Sequence, residues 1–298
     1  FLPVTVTANA AAGYNVPNFG APIDPLTSQI PRLTEEPSIR VGLWKPEGEV
    51  KFVSTEDDYQ IYQGTVLASS TLPRGTTATL SFDGSVYTIK ADGITLSSSE
   101  YIRLMPATNP HAFFTLVNFE RKVSGRYNIN FNKYRGGAEL RQARDAEKNL
   151  YLINEVMMED YVEGMGENSN TAPTEYLKAQ AVAQRTYGYY TKEYTAKYNT
   201  RYFDVVAHTG DQLYLGYANE AVMSNFVKAV QATRGYMVTY SNEIVITPYF
   251  GNTDTRTRSW TEVWGGKAKP WLVPVAATYD DRDNKKLFGH GVLIIGYF

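Results

Sequence analysis

Between Asn154 and Tyr187 the chain reads NEVMMEDYVEGMGENSNTAPTEYLKAQAVAQRTY, and the acid of its polar loop, Glu167, is the residue best placed for chemistry. A carboxyl ahead of a helix can give and take a proton. It can equally sit there because the positive end of the helix dipole favours an acid. The following helix contributes Lys178 and Arg185, roughly 10 Å apart along the axis at 1.5 Å per residue and nearly on one face.

Two helices must hold that loop. The first is expected from Asn154, a good N-cap, with Val156, Met157, Tyr161, Val162 and Met165 on an apolar face and Gly164 and Gly166 ending it. The second opens around Pro173, whose missing N–H costs nothing in a first turn. It is expected to run through Leu177, Ala181 and Tyr187 to about Tyr198, with Lys178 and Arg185 as a cationic stripe facing away from Leu177. A third helix is expected from Glu220 to Thr233, ended by Gly235, and a hairpin around Ser241-Asn242. Upstream, Ser38 to about Arg144 holds short runs such as IRVGLW, EVKFVS, TATLSF, SVYTIKA, ITLS, HAFFTLVNF and GRYNINF. Turn signals at Asp83-Gly84 and Asp92-Gly93 punctuate them, so this region reads as β-rich.

The charge balance, 29 basic against 31 acidic residues, offers no basic field for nucleic acid. The sequence has no cysteine, which excludes disulfides, thiolate zinc ligands and cysteine nucleophiles. Tyrosine is frequent, at 23 residues, and suits either half-buried strand faces or carbohydrate contacts. No run is apolar for long enough to give a transmembrane helix. Residues 1–37 read as a flexible arm, and the apolar start followed by Ala8-Asn9-Ala10 resembles the end of a secretory signal peptide.

The Glu167 loop, Pro173-Thr174-Glu175 and the run from Leu177 to Tyr187 together resemble the signature of the stage II sporulation protein D family. The resemblance extends to Tyr134–Arg141 upstream. Downstream it takes in Gln212-Leu213-Tyr214-Leu215-Gly216, Val263-Trp264-Gly265, Pro270-Trp271-Leu272 and Gly289-His290-Gly291-Val292, and so covers roughly residues 38–292. Where the family has Tyr-Phe-Ser-Ser-x-Gly-Gly-Arg-Thr, this chain has Tyr249-Phe250-Gly251-Asn252-Thr253-Asp254-Thr255-Arg256-Thr257, so the serines and glycines are replaced and Asn252, Thr253 and Asp254 are the small polar residues of the loop.

The resemblance implies a peptidoglycan lytic transglycosylase that cleaves the bond between N-acetylmuramic acid and N-acetylglucosamine. Glu167 would be its single acid/base, and denuded glycan strands its substrate. It implies Lys178, Gln180, Arg185, Tyr187, Gln212, Tyr214, Asn252, Thr253 and His290 as substrate-binding residues, and an extracytoplasmic, cell-envelope or secreted location. The alternative is a non-catalytic glycan-binding or amidase-enhancing module, with a cell-wall amidase as partner, which the replaced loop favours. Some relatives bind zinc through His and Cys. With His111, His208 and His290 but no Cys or HExxH spacing, no metal or other cofactor is expected here, His208 being the only candidate first ligand. The expected architecture is α+β, a β-rich part of about 38–145 followed by a helical catalytic core of about 146–298.

Overall fold

The computed structural model describes residues 33, 35–126, 128–251, 253 and 255–277. The chain is α+β and forms two compact units, residues 1–247 and 248–298. In the first unit, strands β1 (Ser38–Trp44), β2 (Val50–Val53), β3 (Tyr59–Gln63), β4 (Val66–Leu72) and β5 (Ala78–Phe82) open the chain. Then come β6 (Tyr87–Ala91), β7 (Ile94–Ser98), β8 (Ile102–Pro106), β9 (Phe113–Leu116), β10 (Lys133–Arg135), β11 (Gly137–Gln142) and β12 (Leu150–Met157). Helices α1 (Met158–Glu163) and α2 (Thr174–Tyr194) follow, then β13 (Val205–Val206), α3 (Tyr217–Glu220) and α4 (Ser224–Ala232). A hairpin of β14 (Thr239–Tyr240) and β15 (Glu243–Ile244) ends this unit.

Seven strands pair in the order β13-β1-β12-β11-β8-β3-β4, and six more in the order β10-β9-β2-β5-β6-β7. Strand β12 lies between β1 and β11, so strands from before and after residue 145 share one sheet. The expected Asp-Gly turns join β5 to β6 and β6 to β7, with Gly84 at φ 100° and Gly93 at φ 68°. Ser241 and Asn242, at φ 50° and 65°, make the two-residue turn between β14 and β15.

An aromatic column runs through the core. Phe52 stacks on Phe114 at 4.8 Å, Tyr134 lies 5.8 Å from Tyr214, and Tyr214 lies 5.0 Å from Tyr161. The three tyrosines are fully buried, and each hydroxyl donates inward, to Phe131 O, Asn154 Oδ1 and Gln212 Oε1 respectively. Part of the tyrosine excess is therefore core, where a buried ring needs a partner for its hydroxyl.

Three expectations are corrected. No helix starts at Asn154: the chain stays extended to Met157 because β12 is hydrogen-bonded on both sides, and the Asn154 amide donates to Arg135 O and Gly137 O. Helix α2 stops at Tyr194, short of Tyr198. The third helix is broken between Glu220 and Ser224, leaving Val222 exposed, while Phe226, Ala229 and Val230 keep the apolar stripe of α4. The run GRYNINF forms no strand among its described residues, whereas β3, β4 and β8 were not read from the sequence. Strand β4 is mostly exposed and lies at a sheet edge, so it lacks the alternation that marks a half-buried strand.

In the second unit, residues 255–257 run antiparallel to 275–277, through Thr257 N–H to Val275 O and Ala277 N–H to Thr255 O. Between them lies α5 (Trp260–Trp264), whose start is fixed by reciprocal bonds between Ser259 and Glu262.

Gly136 links β10 to β11 at φ 77°, and a Cβ there would stand 2.2 Å from Glu155 O. Gly136→Ala is expected to cost about 3 kcal/mol or more. At Gly75, also left-handed at φ 81° but with open space around it, Ala should cost only about 1 kcal/mol. Urea unfolding of the two variants checks the difference.

Candidate functional site

The loop bearing Glu167 is fixed by close backbone approach. Residues 164–166 run beside 213–215, with Gly166 N–H to Leu213 O and Leu215 N–H to Gly164 O, both at 2.8 Å. A Cβ at Gly164 would meet the Tyr214 ring at 2.5 Å, and one at Gly166 would meet Leu215 at 2.4 Å, so only glycine allows this pairing. Asn219 holds the same turn from α3, its amide donating to Met165 O at 2.7 Å.

At the end of this bridge the half-buried Glu167 carboxylate is held from two elements. Leu213 N–H donates to Oε1 at 3.0 Å, and the Gln184 amide of α2 donates to Oε2 at 3.2 Å. Gln184 is itself clamped. Its Oε1 accepts from Asn168 at 3.4 Å and its backbone carbonyl accepts from Gln212 at 3.2 Å, while Gln212 Oε1 takes the Tyr161 hydroxyl at 2.9 Å. Neutral donors thus orient both carboxylate oxygens through a chain of buried amides.

The other acids of this region sit in the interior. Glu159 of α1 and Arg185 of α2 form a paired two-bond contact, Nε to Oε1 and Nη2 to Oε2 at 2.7 Å each, and both are essentially buried. Gly235 N–H adds a third bond to Glu159 at 3.0 Å, and Arg185 reaches Val230 O and Tyr236 O at 3.3 Å. Glu163 lies beside Glu220 and Asp160 with one bond from Gln231, and burial followed by those two like charges raises its pKa to about 7.

The sequence-derived site therefore separates. Glu167 is at the bridge. Arg185 is not on an exposed cationic stripe but in the core beside Leu177, because its fork matches Glu159. Lys178 pairs with Glu175 at 2.8 Å on the surface. Gln180 donates to Tyr176 Oη at 3.0 Å, one turn from Gln184. Tyr187, Gln212 and Tyr214 are buried instead of being offered to a ligand: Tyr187 bonds Asp211, Gln212 supports Gln184, and Tyr214 bonds Asn154. Burial holds the Tyr214 hydroxyl well above its ordinary pKa, so it stays a neutral donor. Thr253 belongs to the second unit, where its hydroxyl bonds Arg256 O. Asn252 and His290 lie outside the described residues.

The residue that sequence reading missed is Gln184. It occupies the one position of the Ala-Val-Ala-x-Arg-Thr-Tyr run that the signature leaves open, four residues after Gln180 and hence on the same helix face.

Of the histidines, His111 Nδ1 meets Asp160 at 2.7 Å and His208 Nδ1 accepts Gly210 N–H at 3.1 Å. Among the described residues no group of three or more His, Cys, Asp or Glu could hold a metal ion, and no helix is long and apolar enough to cross a membrane.

Residues 146–240, which contain β12, α1, the Glu167 loop, α2 and Gln212, match the model of the stage II sporulation protein family, SpoIID. Over this segment the chain is similar to the SpoIID family. An uncharacterised protein of Brachyspira hyodysenteriae is 36% identical over 125 residues, covering 41% of this chain and 33% of that protein. The matched region spans about a third of that relative's length.

Two outcomes follow from the buried acids. Arg185→Met strands the Glu159 carboxylate in the interior and should cost about 3–5 kcal/mol, whereas Arg185→Met with Glu159→Leu should recover at least half of it. A denaturant double-mutant cycle measures both. Glu163 binds its proton more tightly folded than unfolded, so its contribution is full below about pH 4.5 and is lost as pH rises through 7. Unfolding from pH 5 to 8 should show wild type losing stability, and Glu163→Gln should flatten that slope by on the order of 2 kcal/mol.

Proposed function

We propose that the chain is a peptidoglycan lytic transglycosylase acting outside the cytoplasm, cleaving between N-acetylmuramic acid and N-acetylglucosamine with Glu167 as its single acid/base. The observation that carries this reading is a half-buried carboxylate with a donor from a separate element on each oxygen. Glycosidases with an external water nucleophile need two carboxyl groups. A lytic transglycosylase needs one, because the substrate's own C6 hydroxyl attacks. Glu167 gives its proton to the leaving glycosidic oxygen as the bond to the anomeric carbon breaks. The resulting carboxylate takes the C6 hydroxyl proton as that oxygen bonds the anomeric carbon, closing a 1,6-anhydro ring and restoring the acid.

Leu213 N–H and Gln184 fix the carboxylate plane through both steps. Gln180, on the turn of α2 next to Gln184, is the sequence-derived residue best placed to meet a sugar hydroxyl. Denuded glycan strands are the proposed substrate, and no cofactor is needed. The replaced Ser/Gly loop at Asn252–Asp254 favours a second reading, a glycan-binding module that assists a cell-wall amidase.

Denuded glycan strands incubated with the protein should yield anhydro-terminated fragments by mass spectrometry. Glu167→Gln should lower the yield at least about 100-fold while keeping the fold. Strand binding with no anhydro product from the parent protein would leave only the module.

A further inference from the structure

Three of the four tryptophans of the chain fall between residues 260 and 271, in the second unit. Trp260 and Trp264, on one face of α5, have ring centroids 4.5 Å apart, and Trp264 is 43% exposed. Lys269 continues the row, its ammonium 4.7 Å from the Trp260 ring and 5.2 Å from that of Trp271. Val263, Val273 and Val275 are also exposed, so large apolar side chains are unusually dense on this small unit.

The row is rigidly presented. Both ends of the Ser259–Glu262 capping box are made, Arg256 bonds Glu262 at 2.7 Å, and Trp260 N–H reaches Leu272 O. Charge is one-sided. From residue 255 to 277 the only acid is Glu262, tied to Arg256, against the bases Arg256, Arg258, Lys267 and Lys269. Rigid indole faces beside surplus ammonium groups fit a ligand with flat, C–H-rich faces and anionic substituents.

We propose that Trp260, Trp264 and Trp271, with Lys267 and Lys269, form a docking surface for an anionic glycan strand on the second unit. Sugar rings lie on the indoles, and the lactyl carboxylates that denuded strands expose face the lysines. The choice of glycan rests on the cell-wall reading above; the aromatic and basic character does not.

The test uses the full chain carrying Glu167→Gln, so that strands are not consumed, and titrates it with purified denuded strands, with neutral chitooligosaccharide, and with phosphatidylglycerol vesicles. Trp264→Ala should weaken strand binding about tenfold, the scale of one lost aromatic anchor, without moving the thermal midpoint. Lys267→Gln with Lys269→Gln should remove the preference for denuded strands over chitooligosaccharide.

Unchanged strand affinity in Trp264→Ala and in the Trp260→Ala/Trp264→Ala double variant overturns the proposal, as does Trp264-dependent binding to vesicles but not to strands. The two readings fail separately. Anhydro products from the unmutated chain with tryptophan-independent binding remove only the docking surface. Tryptophan-dependent binding without anhydro products keeps it and removes the catalytic reading.

Discussion

The packing of α2 depends on one buried ion pair. Arg185 and Glu159 meet face to face with almost no exposure, and taking both charges out of water is tolerated only because every bonding position is used well. Two bonds join them, Gly235 N–H adds a third to Glu159, and the carbonyls of Val230 and Tyr236 take two more guanidinium hydrogens. One side chain therefore ties α2 to α1, to the end of α4 and to the turn beyond it. An apolar pair could pack as tightly, but it would not select one rotation of α2 about its axis.

That rotation sets the position of Gln184, the residue just before Arg185. With Arg185 turned into the core toward α1, Gln184 also points inward, between Asn168 and Glu167. The other half of the clamp comes from the chain's own path. Strand β12 feeds α1, α1 ends at Gly164, and the next residues lie against 213–215, which brings Leu213 N–H to Glu167. The carboxylate sits where two independently fixed elements converge, an arrangement that holds it more closely than a free loop would.

Much of this was legible in the sequence. The Asp-Gly and Ser-Asn turns announced three hairpins, and helix α2 followed from Pro173 and its apolar spacing. The Leu177–Tyr187 run marked the segment that matches the family. What stayed hidden was where side chains point. Arg185 reads as a surface cation on its own helix, and only Glu159, 26 residues earlier, pulls it inside. Asn154 has the chemistry of an N-cap, yet in the central strand it bonds two carbonyls of a neighbouring segment. Tyr187, Gln212 and Tyr214 carry groups that sugars use, but the same groups satisfy a polar core. Non-local partners decided each case, and local spacing carries no record of them.

The burial of those polar residues bears on the chemistry. A site whose sugar-binding groups were Gln212 and Tyr214 would have to open its own core to bind. Here they work one step back: Tyr161 fixes Gln212, Gln212 holds the Gln184 carbonyl, and Gln184 orients Glu167. Each of these bonds contributes about 0.5–1.5 kcal/mol net. The same network that stabilises the packing of α2 therefore keeps the carboxylate in one orientation. Stability and the orientation of the Glu167 carboxylate are coupled through Gln184, so substitutions along this chain of amides change both together.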